Sequence, residues 1–314
     1  MAPQQRRDDD HPPLTPNHRP DHTPVMVAEV LEHLAPERGG IFVDCTVGLG
    51  GHARALLEAG ASRLIGLDRD PHALTRSRDA LAAFGAQVEL VHSDYRELND
   101  VLDARGISRV DGVLADLGVS SMQLDAPDRG FSFKRDDVLD MRMDTSRGST
   151  AAEMLATADE QTLADVIYTL GEERHARRVA RAILAARSQA PIATTGRLAD
   201  VVRRAIPRKG YSRIDPATRT FQAVRIWVNR ELEGLGDFLT ASVARLNVGG
   251  RMVVITFHSL EDRIVKHTFR ALQSDGLVAI RTKRPVTPTP AEVEGNARAR
   301  SAKLRAVERS GGST

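Results

Sequence analysis

Between residues 40 and 118 short apolar runs alternate with helical patterns, and no other feature of the sequence restricts the fold as tightly. "GIFVDC" (40–45), "RLIGLDRD" (63–70), "AQVELVHSDY" (86–95) and "VDGVLADLG" (110–118) read as strands. Each is too short for a helix and is bounded by glycine, proline or acid. Between them, "GHARALLEAG" (51–60) reads as a helix closed by glycine. "PHALTRSRDALAAFG" (71–85) is a second helix, with proline in its first turn and glycine at its end. Strand–helix units of this length predict a parallel, doubly wound sheet that binds ligands at the carboxyl ends of its strands.

The alternation breaks after residue 125. From there to about residue 215 the chain shows helical patterns and loops without a convincing buried strand. A long amphipathic helix is then expected over 216–246, followed by a strand over 249–259. The expected organisation is an α/β, Rossmann-like domain in two parts, 22–125 and 216–284. A mostly helical domain, 126–215, is inserted between them. Residues 1–21 are polar and proline-rich and read as a disordered extension, and 285–314 as a basic tail, irregular in part. No apolar run approaches the ~20 residues of a membrane span, and the start lacks the apolar core of a secretory signal. Cys45 is the only cysteine, which excludes a disulfide framework and a thiolate metal cluster. The expectation is a cytoplasmic protein without membrane or metal partners, with monomer and dimer both open.

"DCTVGLGGHARAL" (44–56) sits where the first strand meets the first helix. Gly48, Gly50 and Ala53 satisfy G-x-G-x-x-G/A, and Asp68 follows about 20 residues on, so a nicotinamide dinucleotide and an oxidoreductase come into question. Three features favour S-adenosyl-L-methionine instead. Asp44 stands ahead of the glycines, where a carboxylate repels a pyrophosphate and suits an ammonium and a sulfonium. Polar or acidic groups end each following strand: Asp68, then Ser93-Asp94-Tyr95, then Asp116. Asp68 can accept from ribose hydroxyls, Asp94 or its neighbours can meet the adenine amino edge, and Tyr95 can pack on the ring. Third, "LNVGGRMVVITF" (246–257) resembles the fifth strand of class I methyltransferases.

A wider resemblance runs in consistent order from about residue 22 to 309. It rests on "HTPVM" (22–26), "DCTVGLGGHARA" (44–55), "GLDRDPHAL" (66–74) and "DGVLADLGVSSMQLD" (111–125). It continues through "RGFSFKRDDVLDMRMD" (129–144), "GEERHARRVARAI" (171–183), "PATRTFQAVRIWVN" (216–229), "HSLEDRIVK" (258–266) and "ARARSAKLRAVER" (297–309). These stretches resemble the RsmH (MraW) family of bacterial 16S rRNA cytosine-N4 methyltransferases. The resemblance implies a class I (Rossmann-like) methyltransferase domain with an inserted helical substrate domain. It implies S-adenosyl-L-methionine as donor, and as target the exocyclic amine of cytidine 1402 in the 16S rRNA of the small ribosomal subunit. It also implies cofactor contacts at Gly50, Gly51, His52, Asp68, Tyr95, Asp116 and Gln123. The stretch between Phe269 and Asn296 is short for the family.

Methyl transfer from a sulfonium needs an aligned acceptor and a route for one proton. "DLGVSS" (116–121) lies where amino-methyltransferases carry an acid or Asn before two prolines, and no diproline is present. Asp116 therefore has two possible roles, cofactor contact or polariser of the amine. His258 is a second catalytic candidate and, with Glu261, lies just past the fifth strand. The alternative there is local capping of a helix by Ser259 and Asp262. From Arg174 through Arg230 fourteen Lys or Arg face two acids, Asp200 and Asp215, a footprint suited to a phosphate backbone. Arg203, Arg204, Arg208, Lys209 and Arg213 are the candidate rRNA contacts, and Arg298, Arg300, Lys303 and Arg305 a second set. A ribosome-binding protein without catalysis stays open on these residues alone.

Overall fold

A computed structural model describes residues 24–207 and 214–311. Helix α1 (Val27–Leu34) leads into β1 (Ile41–Asp44), α2 (Gly51–Glu58), β2 (Arg63–Asp68), α3 (Pro71–Ala80) and β3 (Val88–His92). Helix α4 (Leu98–Asp103) and β4 (Val110–Asp116) complete this half. The helical segment holds α5 (Ser121–Asp125), α6 (Ala151–Thr157), α7 (Glu160–Thr169), α8 (Ala176–Gln189), α9 (Thr195–Ala205) and α10 (Ala217–Asn229). The sheet resumes through α11 (Leu235–Arg245), β5 (Leu246–Thr256), α12 (Ser259–Ser274), β6 (Val278–Ile280), α13 (Pro290–Gly295) and β7 (Lys303–Arg309).

The strands form one seven-stranded sheet in the order β3-β2-β1-β4-β5-β7-β6. The pairs from β3 to β5 are parallel, and β7 runs antiparallel between β5 and β6. Alternate strand residues feed opposite faces, as the pleat requires. Val43, Ile65, Val113 and Met252 pack under Leu102, Leu239 and Phe269 of α4, α11 and α12. Phe42, Leu64, Leu114 and Val253 pack against Leu34, Leu56 and Leu74 of α1, α2 and α3. Both faces are covered, which is why these strands read as continuous apolar runs. Helices α6 to α10 have their own core around Leu139, Leu155, Ile167, Ile183, Leu198 and Phe221. No helix among the described residues is long and apolar enough to cross a membrane.

Two expectations need correction. The helix expected over 216–246 is two helices, because Arg230 turns left-handed (φ 50°) and Gly234 follows at φ 68°. Helix α10 buries Ala217, Phe221 and Val224 in the helical core, while α11 packs on the sheet. The expected basic tail is also partly wrong. Residues 303–309 form β7 inside the sheet, with Leu304, Ala306 and Val307 fully buried. Arg305 is tolerated there because Asp262 of α12 accepts from its Nε at 2.7 Å.

Candidate active site

The carboxyl ends of β1 to β5 surround one pocket. Its wall includes Thr46, Gly48, Gly51 and His52 after β1, Asp68 and Arg69 after β2, and Ser93 and Tyr95 after β3. Asp116 and Gln123 enter after β4, Met143 and Glu231 from the helical segment, and Phe257 and Glu261 after β5. The glycines do different work here. Gly48 sends its N–H to Asp68 Oδ2 at 2.8 Å. Gly51 borders the pocket, where a Cβ would lie 2.6 Å from the Pro24 ring. Gly50 caps α2 at φ 83° and faces Leu81, so its need for glycine is conformational, and it does not line the wall.

Charge is concentrated at the first and fourth strand ends. His52 Nε2 lies 3.6 Å from Asp116 Oδ2, an ion-pair distance beyond hydrogen-bond range. Burial alone lowers the pKa of His52, but Asp116, and then Asp44 and Glu292, outweigh it and hold the ring above its ordinary value. Burial pushes Asp44 up to about 7, only partly offset by His52 and the Thr46 N–H. Burial likewise raises Asp68 to about 6, against hydrogen bonds from the Asp70 and Gly48 N–H groups. Among the described residues, Asp44 Oδ2, both His52 ring nitrogens and Asp116 Oδ1 are buried without a hydrogen-bond partner.

Polar contacts behind the wall link the pocket to the helical segment. Asp70, fully buried, caps α3 through the His72 N–H and accepts from Gln123 Nε2 at 2.9 Å and Arg129 Nη2 at 2.8 Å. Arg129 Nη2 also reaches the Arg142 and Met143 carbonyls at 3.1 Å. Asn229, at the end of α10, accepts from the Met143 N–H and donates to the Met141 carbonyl. Loop 129–144 is thereby pinned with Met143 on the pocket wall. Neither Asp70, Arg129 nor Asn229 was singled out from sequence; only the loop's mixed aromatic, methionine and acidic composition hinted at a role.

Other candidates are displaced from their expected places. Asp94 does not reach the pocket; Arg96 holds both its oxygens at 2.6 and 2.8 Å, and Ser93 and Tyr95 line the wall instead. Tyr95 packs its ring 4.6 Å from Phe238 and donates to the Glu231 carbonyl. Helix α12 is capped one residue earlier than expected, by a reciprocal pair between His258 and Glu261. Ser259 and Asp262 bond elsewhere, to Glu172 and Arg305. His258 sits behind the wall with Nε2 at 3.1 Å from Glu261 Oε1. Glu231, His258 and Glu261 could converge on a cation. The guanidinium of Arg225 already grips both Glu231 oxygens at 2.8 and 2.9 Å and supplies that positive charge.

Among the candidate rRNA contacts, Arg203 is tied to Asp215 and Asp200 and lies over the Phe133 ring. Arg204 is exposed, and Arg208, Lys209 and Arg213 lie outside the described residues. In the second set Arg298 meets Asp125 beside the pocket, and Lys303 and Arg305 both pair with Asp262. Arg300 is exposed. Trp227 packs against the helical core.

Buried polar groups are rarely left unsatisfied, so the orphaned atoms of Asp44, His52 and Asp116 call for a ligand. Two carboxylates among them select one that carries positive charge, which a pyrophosphate does not. A parallel sheet with an antiparallel seventh strand, opening onto such a pocket, defines a Rossmann-like class I methyltransferase whose methyl donor is S-adenosyl-L-methionine. The chain belongs to the MraW methylase family, whose model matches residues 19–310.

Two relatives named ribosomal RNA small subunit methyltransferase H are each 50% identical over 302 residues. One, from Bradyrhizobium diazoefficiens, aligns over 92% of this chain and 91% of its own. The other, from Sorangium cellulosum, aligns over 96% and 95%. Solved structures superpose more loosely. An rRNA methylase from Streptococcus thermophilus is 12% identical with a TM-score of 0.40, over 89% of this chain and 95% of that one.

Proposed function

We propose that this protein transfers a methyl group from S-adenosyl-L-methionine to the N4 amine of a cytidine in the small subunit's 16S rRNA, at position 1402. The half-identity, over nearly the full chain, to relatives named small subunit rRNA methyltransferases carries the substrate class. The pocket carries the chemistry. Asp44 and Asp116 would offer negative charge to the donor's ammonium and sulfonium, and Asp68 would offer carboxylate oxygens to the ribose hydroxyls. Gly51 leaves room beside the His52 turn, Gly50 sets the turn's left-handed entry into α2, Tyr95 supports the adenine ring, and Gln123 is held in register by Asp70.

In the reaction the N4 lone pair forms a bond to the methyl carbon as the carbon–sulfur bond breaks. The donor would leave as a neutral thioether, and the proton given up by nitrogen would pass to the Asp116 carboxylate, the acceptor on that N–H. That lone pair is delocalised into the cytosine ring, so an acceptor on the amine N–H is needed to return density to nitrogen. Asp116, with Oδ1 free and Oδ2 near His52, is the residue assigned to that role. His258 acts through Glu261, whose carboxylate it positions on the wall beside Phe257. Arg204, with Arg208, Lys209 and Arg213 on the adjoining stretch, is assigned to the rRNA, while Arg203 is held by Asp215 and Asp200.

Incubation with labelled donor and isolated small subunits, followed by nucleoside analysis, tests this reading. Label in N4-methylcytidine is the expected result. Donor binding without label in any nucleoside would support a ribosome-binding protein instead.

A further inference from the structure

The turn joining α7 to α8 carries an arrangement that intrachain stability does not explain. Arg174, Arg177, Arg178 and Arg181 are all exposed and lie at i, i+3, i+4 and i+7. Arg177 and Arg181, both within α8, are like charges four residues apart, and Arg177 and Arg178 stand in its first turn, where the helix dipole disfavours cations. Among the described residues neither Arg177 nor Arg178 has an acidic partner, and Arg181 only approaches Glu160 at 3.9 Å. The acids of the turn are already engaged. Glu172 accepts from Ser259 Oγ at 2.7 Å and from Arg263 at 3.1 Å, while Glu173 is buried and accepts the His175 N–H. Tyr168, in the last turn of α7, is 63% exposed.

This turn is fastened to the rim of the pocket. Its Glu172 bonds Ser259, the residue after His258 and two after Phe257 of the wall. Arg219 of α10 donates to the Glu172 carbonyl at 3.2 Å, so α10 holds the same point. Whatever binds the arginines is thereby set at a defined place relative to the pocket mouth.

We propose that the α7–α8 turn is a docking surface for an unpaired RNA segment, with Arg177 and Arg178 on successive phosphates and Tyr168 stacked on a base. The proposal rests on the reading that the substrate is RNA, and it assigns the backbone grip to a surface distinct from Arg203 and Arg204. Exposed cations track phosphates without regard to sequence, and an exposed aromatic ring offers a platform to any unstacked base. The link through Glu172 then sets which nucleotide along the segment enters the pocket.

The test compares the full-length protein with Arg177→Ala/Arg178→Ala, Arg177→Lys/Arg178→Lys and Tyr168→Ala, titrating 16S rRNA at several salt concentrations. The alanine pair should flatten the plot of log affinity against log salt by roughly 1.4, two contacts at about 0.7 each for a single strand. The lysine pair should keep the wild-type slope. Tyr168→Ala should lose about tenfold in affinity at unchanged slope. S-adenosyl-L-methionine affinity should not move and Tm should not fall, which separates the effect from misfolding. A wild-type slope in the alanine pair, while the wild-type protein binds rRNA, overturns the proposal. Wild-type protein that neither binds nor methylates rRNA overturns the underlying reading instead.

Discussion

Arg129 donates to the carboxylate of Asp70 at 2.8 Å, joining the helical segment to the residue two positions past Asp68. Both partners are buried, so the pair is not a surface ion pair of negligible worth. Removing one partner leaves an uncompensated buried charge, which costs about 3–5 kcal/mol. Arg129→Met should therefore lower the Tm by roughly 5–15 °C and weaken donor binding, because the Met143 carbonyl on the pocket wall loses its donor. Asp70→Asn combined with Arg129→Met should recover part of the loss. Thermal denaturation of the two single variants and the double gives the coupling, and strictly additive losses would show that the two side chains act independently.

Donor affinity should depend on pH through Asp68. Its folded pKa is raised to about 6 by burial, and the ionised form is the better acceptor for ribose hydroxyls. Affinity should rise with pH through 6, with a loss of roughly tenfold from this group between pH 7.5 and 5. Asp68→Asn should bind weakly at every pH and lose the step near 6, keeping only the rise near 7 that Asp44 contributes. Calorimetric titration across this range checks both, and a step near 6 retained in the Asn variant would assign it to another group.

Asp44 predicts an opposition between stability and binding. Its folded pKa of about 7 lies above the unfolded value, so the folded state holds a proton that the unfolded chain releases. Stability supplied by this group is complete below pH 4 and is lost as pH rises through 7. Asp44→Asn should raise the stability of the donor-free protein by about 1–3 kcal/mol at pH 7.5, with the gain shrinking as pH falls below 7 and vanishing near pH 4. The same change should weaken donor binding at pH 7.5. Chemical denaturation with and without donor measures the two effects; a variant that gains stability while binding the donor normally would remove Asp44 from the ammonium site.

Arg203 and Arg204 should separate. Arg203 is bound by Asp215 and Asp200, so Arg203→Ala should lower the Tm. Arg204 is exposed, and Arg204→Ala should leave the Tm unchanged while reducing the salt slope of rRNA binding by about 0.7–0.9. Equal effects of the two substitutions on Tm would contradict this division.

Much of the sheet was legible because its first five strands are apolar runs punctuated by glycine, proline and acid. Asp68, Tyr95, Asp116 and the glycine turn followed from the rule that ligands meet strand ends. Strand β7 escaped because "KLRAVER" carries charge in a buried position, and only Asp262, far away in sequence, makes Arg305 acceptable there. The break between α10 and α11 escaped because the apolar period runs on through Arg230, whose left-handed turn has no glycine to announce it. The cap of α12 was misplaced by one residue because Ser and Asp are the commoner pair, while His258 and Glu261 stand at the true positions. Asp70 and Arg129 meet across 59 residues, and no local pattern signals such a pair.

The position of β7 between β5 and β6 also bears on the order in which the chain can assemble. Strands β1 to β4 and the helical core are made of segments that precede β5, and each can bury apolar surface as it emerges from synthesis. β5 can pair with β4 at once, but its other edge stays open until residues 303–309 arrive. The last step of folding is then the closing of an exposed strand edge by the chain's own late segment. Until that happens, the growing protein presents to its neighbours the kind of edge through which chains aggregate.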